Sequence, residues 1–204
     1  MFRNHNPKIN NFAQRNPDNL FLVIMMVVLS IQQKWSLVGD MMSDIKVDKL
    51  QSKYIWGNKV KSYVYLSTHK HMLYSRMMAV LNSNKDDFGK SHSLMHMFLK
   101  VEGLGLAKAG FVCQLVAGLV GCMDVHNIKT YGVDPNLLKY NKKLKTRKSI
   151  AANNKKVVDY IDLCDQYGAE NLWNSWCSMI ADKYPQDFVD GYHVSELHYT
   201  YLID

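Results

Sequence analysis

The chain has 204 residues, of which 48% are hydrophobic and 21% charged, with only 4 prolines and 11 glycines, so it is neither disordered, collagen-like nor linker-rich. The net charge of +7 is uneven: residues 1–156 carry 24 bases and 9 acids (+15), and residues 157–204 carry 1 base and 9 acids (−8). A strongly basic body predicts a polyanionic partner, either nucleic acid or an anionic membrane.

Apolar spacing and turn residues predict an all-α chain with no convincing strand. The Asn-rich residues 1–17 are expected to form a loose arm. Asp18 or Asn19 is expected to cap a helix from Leu20 to about Trp35, whose apolar run is too short to span a membrane and lacks the flanks of a signal peptide. Residues 54–66 fit a strand or a helix, and a helix is favoured because an isolated strand has no partner. The other predicted helices cover residues 41–50, 67–82 (starting at Ser67 or Thr68), 91–101 (starting at Ser91), 106–118, 149–166, 169–183 and 194–202.

The four cysteines predict buried free thiols in a reducing compartment, because they are far apart and lie among apolar neighbours. A zinc ribbon or a four-cysteine iron–sulfur cluster needs closer spacing. His92 and His96 have a spacing that binds metals, but no third ligand is visible, so ordinary helix histidines are favoured. We predict no metal and no other cofactor. The cysteines are Cys113, Cys122, Cys164 and Cys177.

Two glycines separate two predicted helices in the segment Val101-Glu-Gly-Leu-Gly-Leu-Ala-Lys-Ala-Gly-Phe111. Gly103 and Gly105 permit a tight hairpin whose backbone approaches a ligand closely, and the amides that start the second helix point toward an anion. Such a hairpin holds a DNA phosphate without reading sequence. A plain helix–turn–helix corner with a glycine cap is the alternative for the glycines alone.

Fifteen positions after Ala109 comes Asp124-Val-His126, and the two motifs together resemble the helix-hairpin-helix DNA glycosylase superfamily, typified by endonuclease III and oxoguanine glycosylase. In that family, a Gly-Val-Gly-x-Lys-x-Ala hairpin precedes, by a similar distance, a catalytic aspartate within Asp-Val-His or Asp-Thr-His. The matching stretch covers a sixth of the chain. The resemblance implies a two-lobed helical fold: residues 20–123, ending in the helix-hairpin-helix at 91–118, and residues 124–204 packed with the segment 1–19.

The resemblance also implies roles for individual residues. Gly103, Leu104 and Gly105 form the hairpin that cradles a DNA phosphate, Asp124 takes the place of the catalytic aspartate, and His126 that of a residue near the DNA backbone. A carboxylate there stabilises the positive charge that develops on a sugar as its base departs. Asp124 also fits a plain helix cap, and both roles are compatible.

The chain departs from the bifunctional members of the family at one hairpin position. They place a nucleophilic lysine where this chain has Ala107, and Lys108 comes one residue, or 100° of helix, later. Lys108 is therefore expected to be a phosphate contact or a solvated side chain, and strand cleavage through a lysine adduct is not expected. The iron–sulfur cysteines of endonuclease III are also absent.

These observations favour a monofunctional DNA glycosylase that hydrolyses the N-glycosidic bond of a modified or damaged base. One alternative is a DNA base-hypermodification transferase of the kind that some bacteriophages carry, on a similar fold. Another is a non-catalytic helix-hairpin-helix DNA-binding module. Under all three, the expected partner is double-stranded DNA, and the chain is expected to be a monomer in the cytoplasm, or the host cytoplasm if it is viral, with no membrane partner.

Eight basic residues lie between positions 139 and 156, with no acid between Asp134 and Asp159. This basic stretch is either a solvated linker or a surface that follows DNA phosphates. The second interpretation is favoured because the stretch comes soon after Asp124. The DNA contacts predicted there are Lys142, Lys143, Lys145, Arg147 and Lys148.

Overall fold

The computed structural model describes residues 6–47, 55–142, 146–183 and 194–203, and within these ranges the chain is helical and has no strand. The predicted all-α class is therefore confirmed. No helix in these ranges is long and apolar enough to cross a membrane. The helices are α1 (Asn6–Ala13), α2 (Pro17–Leu29), α3 (Ser36–Lys46), α4 (Asn58–Leu81), α5 (Asp87–Phe98), α6 (Leu106–Ala117), α7 (Val125–Tyr131), a 3₁₀ helix (Pro135–Leu138), α8 (Arg147–Tyr167), α9 (Ala169–Lys183) and α10 (Val194–Ile203).

The central element is α2, against which α1, α3, α4, α6 and α10 pack. Nearly every side chain from Leu20 to Leu29 is buried, and a helix that is apolar on all sides belongs in a core. The predicted buried helix is therefore confirmed, although its ends differ. It begins at Pro17, and the Asn16 side chain caps it by accepting the N–H of Asn19 at 2.8 Å. It ends at Leu29, shortly before Gln32, whose φ of 53° is outside the helical region.

The predicted N-terminal arm is wrong for residues 6–13, which form α1. The helix is fixed against α6, where the Asn10 amide donates to the carbonyls of Gln114 and Leu115 at 3.0 and 2.6 Å. In a short Asn-rich segment, three apolar residues at helical spacing are too few to distinguish a helix from a loop. The buried side chains of α1 are Ile9, Phe12 and Ala13.

The two helices predicted at 54–66 and 67–82 form one helix, α4, so the predicted start at Ser67 or Thr68 is wrong. Both side chains are exposed in the middle of the helix. The Thr68 hydroxyl donates to the Val64 carbonyl at 2.9 Å, which satisfies it without ending the helix.

Three other helices begin earlier than predicted. Helix α3 begins at Ser36 instead of residue 41 and has no side-chain cap, whereas a side chain just before each of the other two caps it. Helix α5 begins four residues before Ser91, and the Asp86 carboxylate accepts an N–H of its first turn at 2.8 Å. Helix α8 begins two residues before its predicted start, where the Thr146 hydroxyl accepts an N–H at 3.2 Å. Such caps typically stabilise a helix by about 1 kcal/mol.

The buried side chains form one cluster that runs from Ile9 to Leu202. Helix α5 packs against α4, α6 and α8, and α7 packs against α9. Helix α10 returns to α1, α2 and α3, while α1 itself also contacts α2 and α6. The division into lobes at residues 123 and 124 stays a prediction.

The four cysteines are buried and unpaired, which confirms the predicted free thiols. Burial raises the pKa of the Cys164 thiol to about 12 and that of Cys113 well above its usual value. Since the thiolate is the reactive form, these side chains behave as small apolar groups of the core.

Candidate nucleic-acid interface

The segment between α5 and α6 is a tight hairpin with an exposed tip. Gly103 has a φ of 82°, which side chains rarely adopt, and a Cβ there would lie 3.2 Å from the Ser62 hydroxyl. Leu104 is fully buried and anchors the hairpin in the core. Gly105 is exposed, and a Cβ added to it would meet nothing within 4 Å. The open side of the hairpin is therefore at Gly105.

Helix α6 starts at this open side without a side-chain cap. Its N-cap is Gly105, in an extended conformation with φ −89°. The first four N–H groups of a helix have no acceptor within the helix, and the positive end of the helix dipole lies beside them. This arrangement is able to hold one anion, such as a DNA phosphate, through backbone groups alone.

Two side chains from other elements hold the hairpin backbone in place. The Ser62 hydroxyl of α4 donates to the Glu102 carbonyl at 2.5 Å, and the Lys142 ammonium donates to the Val101 carbonyl at 2.6 Å. Burial lowers the pKa of Lys142, and the charge of Glu102 opposes this shift. Lys142 is thus a residue of the basic stretch that the fold brings to the hairpin.

A cleft of about 460 Å³, the hairpin cleft, opens beside this segment between α5 and α8. Burial lowers the pKa of His96 in its wall, and neighbouring His92 and Lys100 lower it further. Burial also raises the pKa of Tyr140. The cleft is polar and contains more basic than acidic groups, which suits a phosphate backbone. Its lining residues are His96, Leu99, Lys100, Glu102, Tyr140, Lys142, Ile150, Asn153 and Asn154.

Asp124 is the N-cap of α7 and is 8% exposed. Its Oδ1 accepts the N–H groups of His126 and Asn127 at 2.9 and 3.2 Å. These two bonds fix the plane of the carboxylate. Oδ2 makes no hydrogen bond within the described ranges of the chain, so one oxygen is left for an incoming group.

The segment that leads to Asp124 crosses α6 at very short range. A Cβ on Gly110 would lie 2.4 Å from the Gly121 carbonyl oxygen. The Tyr160 hydroxyl donates to that same carbonyl at 2.8 Å and accepts the N–H of the residue before Asp124 at 3.0 Å. Val120 has a φ of 65°, a strained conformation for a β-branched residue. The position of Asp124 relative to α6 is therefore tightly determined.

We expect Gly110→Ala to lower the free energy of unfolding by about 1–3 kcal/mol, because the new methyl group meets a backbone oxygen that has no room to move. Urea unfolding of the two chains measures this difference. Gly105→Ala is the matched control: its methyl group enters open space, and we expect a change within about 0.5 kcal/mol. Equal stability of the Gly110→Ala variant and the parent would contradict the close crossing.

Lys108 lies half-buried on the first turn of α6, directed toward α2. Its Nζ is 3.5 Å from the Ser30 hydroxyl and 5.6 Å from the centroid of the Phe111 ring. Burial raises the pKa of the Cys122 thiol, the charge of Asp124 raises it further, and the charge of Lys108 lowers it. Lys108 and Asp124 thus lie near the same thiol.

The remaining predicted contacts lie in separate places. His126 is half-buried in the first turn of α7. Arg147 and Lys148 are exposed at the start of α8, while Lys143 and Lys145 lie outside the described residues. The structure therefore brings Lys142 to the hairpin and directs Lys108 toward the end of α2, and it leaves the start of α8 as a basic surface.

No group of three or more His, Cys, Asp or Glu side chains in the described part of the chain is arranged to hold a metal ion. The rings of His92 and His96 lie 4.5 Å apart on α5. Sequence reasoning missed the roles of Ser62, Glu102 and Tyr140 around the hairpin. No spacing signal indicates them, because they come from three segments about 40 residues apart.

No family model, no curated protein and no solved structure matches this chain. The resemblance to DNA glycosylases therefore rests on the hairpin, the Asp124 triplet and their spacing. The function has to be argued from the geometry of these residues.

Proposed function

We propose that the chain binds duplex DNA through the Gly103–Gly105 hairpin and acts as a monofunctional DNA glycosylase with Asp124 as its catalytic carboxylate. The observation that carries the proposal is that both parts of the site are positioned by α6. The uncapped N-terminus of α6 is the phosphate site, and the segment that ends at Asp124 crosses α6 at Gly110. A phosphate site and a carboxylate on one rigid element give DNA a fixed position relative to the reacting group. The two-lobed glycosylase-like arrangement belongs to this proposal.

In the proposal, the hairpin positions DNA and does not read its sequence. The amides that follow Gly105 bind one phosphate, and the hairpin cleft with Lys100 and Lys142 borders the same backbone. Backbone amides form the same bonds with any nucleotide. Binding at the hairpin therefore depends on the DNA backbone and not on the bases.

Asp124 then acts on a nucleotide that is flipped out of the duplex. Its Oδ1 is held by two amides, which orients the carboxylate, and Oδ2 is available to the sugar. The negative charge stabilises the cationic sugar as the bond from C1′ to the base breaks. Water attacks C1′ and loses a proton, the departing base gains one, and an abasic site remains. Because Ala107 stands where bifunctional members have lysine, no amine adduct forms.

The capping geometry of Asp124 favours a second candidate, a non-catalytic helix-hairpin-helix DNA-binding module. The bonds to His126 and Asn127 account for an aspartate at this position without any chemistry. The hairpin and the basic surface have the same role under both candidates. The two candidate functions differ only in whether the chain releases a base from the DNA that it binds.

A panel of duplexes carrying uracil, oxoguanine, alkylated or hydroxymethylated bases tests the proposal. We expect one of them to gain abasic sites with the parent chain, and its strand to break only after alkali. Duplexes that are bound but lose no base would contradict the glycosylase and support the binding module. A base whose mass changes without an abasic site would indicate a base-modifying transferase.

A further inference from the structure

A separate cavity of about 150 Å³, the Lys59 cavity, lies between the end of α2, the start of α4 and the hairpin. Lys59 is 8% exposed, and its Nζ is buried without a hydrogen-bond partner among the described residues. No other titratable side chain lines this cavity in the part of the chain that the structure describes. The lining residues are Val28, Ile31, Gln32, Gln33, Trp56, Asn58, Lys59, Ser62 and Gly103.

Burying an ammonium group without a partner is unfavourable in free energy. Three features of this position indicate that an anion binds here. Burial lowers the pKa of Lys59 to about 8, with no carboxylate to oppose it. Lys59 lies in the first turn of α4, where the helix dipole is unfavourable for a cation and favourable for an anion. The N-cap of α4 is Gly57, which offers its first amides no side-chain acceptor.

An aromatic side chain also lines this cavity. Trp56 lines the same cavity and is 64% exposed, whereas the other three tryptophans are buried in the core. The Trp56 carbonyl accepts the N–H of Lys59 at 3.1 Å, so the two residues are fixed relative to each other. An exposed indole is a platform on which a flat ring stacks.

Amide side chains complete the lining. Gln32, Gln33 and Asn58 present donors and acceptors of the kind that a nucleobase edge requires. Gln32 has a φ of 53°, one of the two positive values for a non-glycine residue in the described chain. Such conformations are strained and cluster at ligand sites.

We propose that the Lys59 cavity binds a nucleoside monophosphate, with the phosphate on Lys59 and the first turn of α4 and the base against Trp56. The four-carbon side chain of Lys59 allows its ammonium to turn from the wall toward the ligand. The nucleotide is either free in solution or the phosphorylated end of a single strand. The site takes no part in the chemistry at Asp124 and does not rest on it.

Titration calorimetry at pH 7 tests the site without any duplex present. The probes are dTMP, dAMP, inorganic phosphate and a 5′-phosphorylated trinucleotide. We expect the parent to bind the two free nucleotides or the trinucleotide, and Lys59→Met to lose at least tenfold in affinity for whichever of them binds. Lys61→Met is the matched control, since Lys61 is exposed two residues further along α4. Trp56→Ala should weaken nucleotide binding and leave phosphate binding unchanged.

The pH dependence of nucleotide affinity distinguishes a lysine that binds the ligand from one that only supports the fold. The second ionisation of a phosphate monoester, near pH 6, is complete above pH 7.5, so the ligand charge is constant there. In the unliganded chain, Lys59 loses its proton above pH about 8. Affinity should therefore fall above pH 8, approaching tenfold per pH unit, and this fall should be absent in Lys59→Met.

Lys59→Met removes a buried unpaired charge and is expected to melt no lower than the parent, so lost binding is not explained by unfolding. Equal affinity of the parent and Lys59→Met, or no heat with any probe, would overturn the proposal. Phosphate bound as tightly as the nucleotides would overturn the role of Trp56. Binding of the free nucleotides identifies a soluble ligand, and binding of the trinucleotide alone identifies a strand end. Because no duplex is present, failure of the glycosylase proposal leaves these results unaffected.

Discussion

The Asp124→Asn variant is expected to lose a factor of about 10²–10³ in the rate of base release while its fold and DNA affinity are kept. Removing one group that stabilises the charge of a transition state typically costs about 2.7–4 kcal/mol of barrier. Asparagine caps a helix as well as aspartate does, so its oxygen still accepts the N–H groups of His126 and Asn127. The variant thus removes the charge and retains the cap.

Single-turnover release of the base from a responsive duplex measures this effect. Asp134→Asn is the matched control: its Oδ1 accepts the N–H of Asn136 at 2.9 Å at the start of the exposed 3₁₀ helix. This second capping aspartate should tolerate the substitution without loss of rate. An Asp124→Asn variant with the rate of the parent would assign Asp124 to capping alone.

Binding to duplex DNA is expected to be steeply dependent on salt. If four to six of the basic side chains in this stretch contact phosphates, a plot of log K against log salt concentration should have a slope of about −4 to −5. Between 50 and 200 mM salt, affinity then falls by about 250- to 1000-fold, because condensed counterions are released on binding. Fluorescence anisotropy of a labelled duplex across this range measures the slope.

Variants within the basic stretch distinguish phosphate contacts from a merely soluble surface. Arg147 and Lys148 are exposed, and neutralising either to Gln should reduce the slope by about 1. Lys155→Gln is the matched control, because its ammonium already pairs with Asp159 at 2.7 Å, and it should change the slope less. A slope near zero for the parent would contradict the proposed DNA surface.

Sequence patterns predict the parts of this fold that depend on local order. Helix α9 has the predicted bounds of residues 169–183, and the apolar run in α2 identifies the central helix of the core. Helix α1 was not predictable in this way. Its stability comes from bonds between Asn10 and α6, about 100 residues away in the chain, which no local pattern reports.

Sequence patterns likewise predict some parts of the candidate site and not others. The hairpin and the Asp124 cap are each encoded within a few adjacent residues, so their motifs and spacing are enough to locate them. The buried state of Lys59 and the contact of Lys142 with the hairpin depend on which distant segments pack together. Lysines have the same local sequence signature whether they are buried or solvated, and for this reason sequence patterns do not indicate the Lys59 cavity.

The affinity of the parent and the Gly105→Val variant for two duplexes of unrelated sequence tests most directly whether the hairpin holds DNA. A Cβ at this position meets no protein atom within 4 Å, so we expect the valine side chain to cover the open amides of α6 and to leave the fold intact. We expect a loss of about 10- to 100-fold on both duplexes alike, the value of one set of hydrogen bonds to a charged phosphate. Ser75→Val, on the exposed face of α4, should bind like the parent. A Gly105→Val chain that keeps the parental affinity for both duplexes would contradict the role of the hairpin in DNA binding.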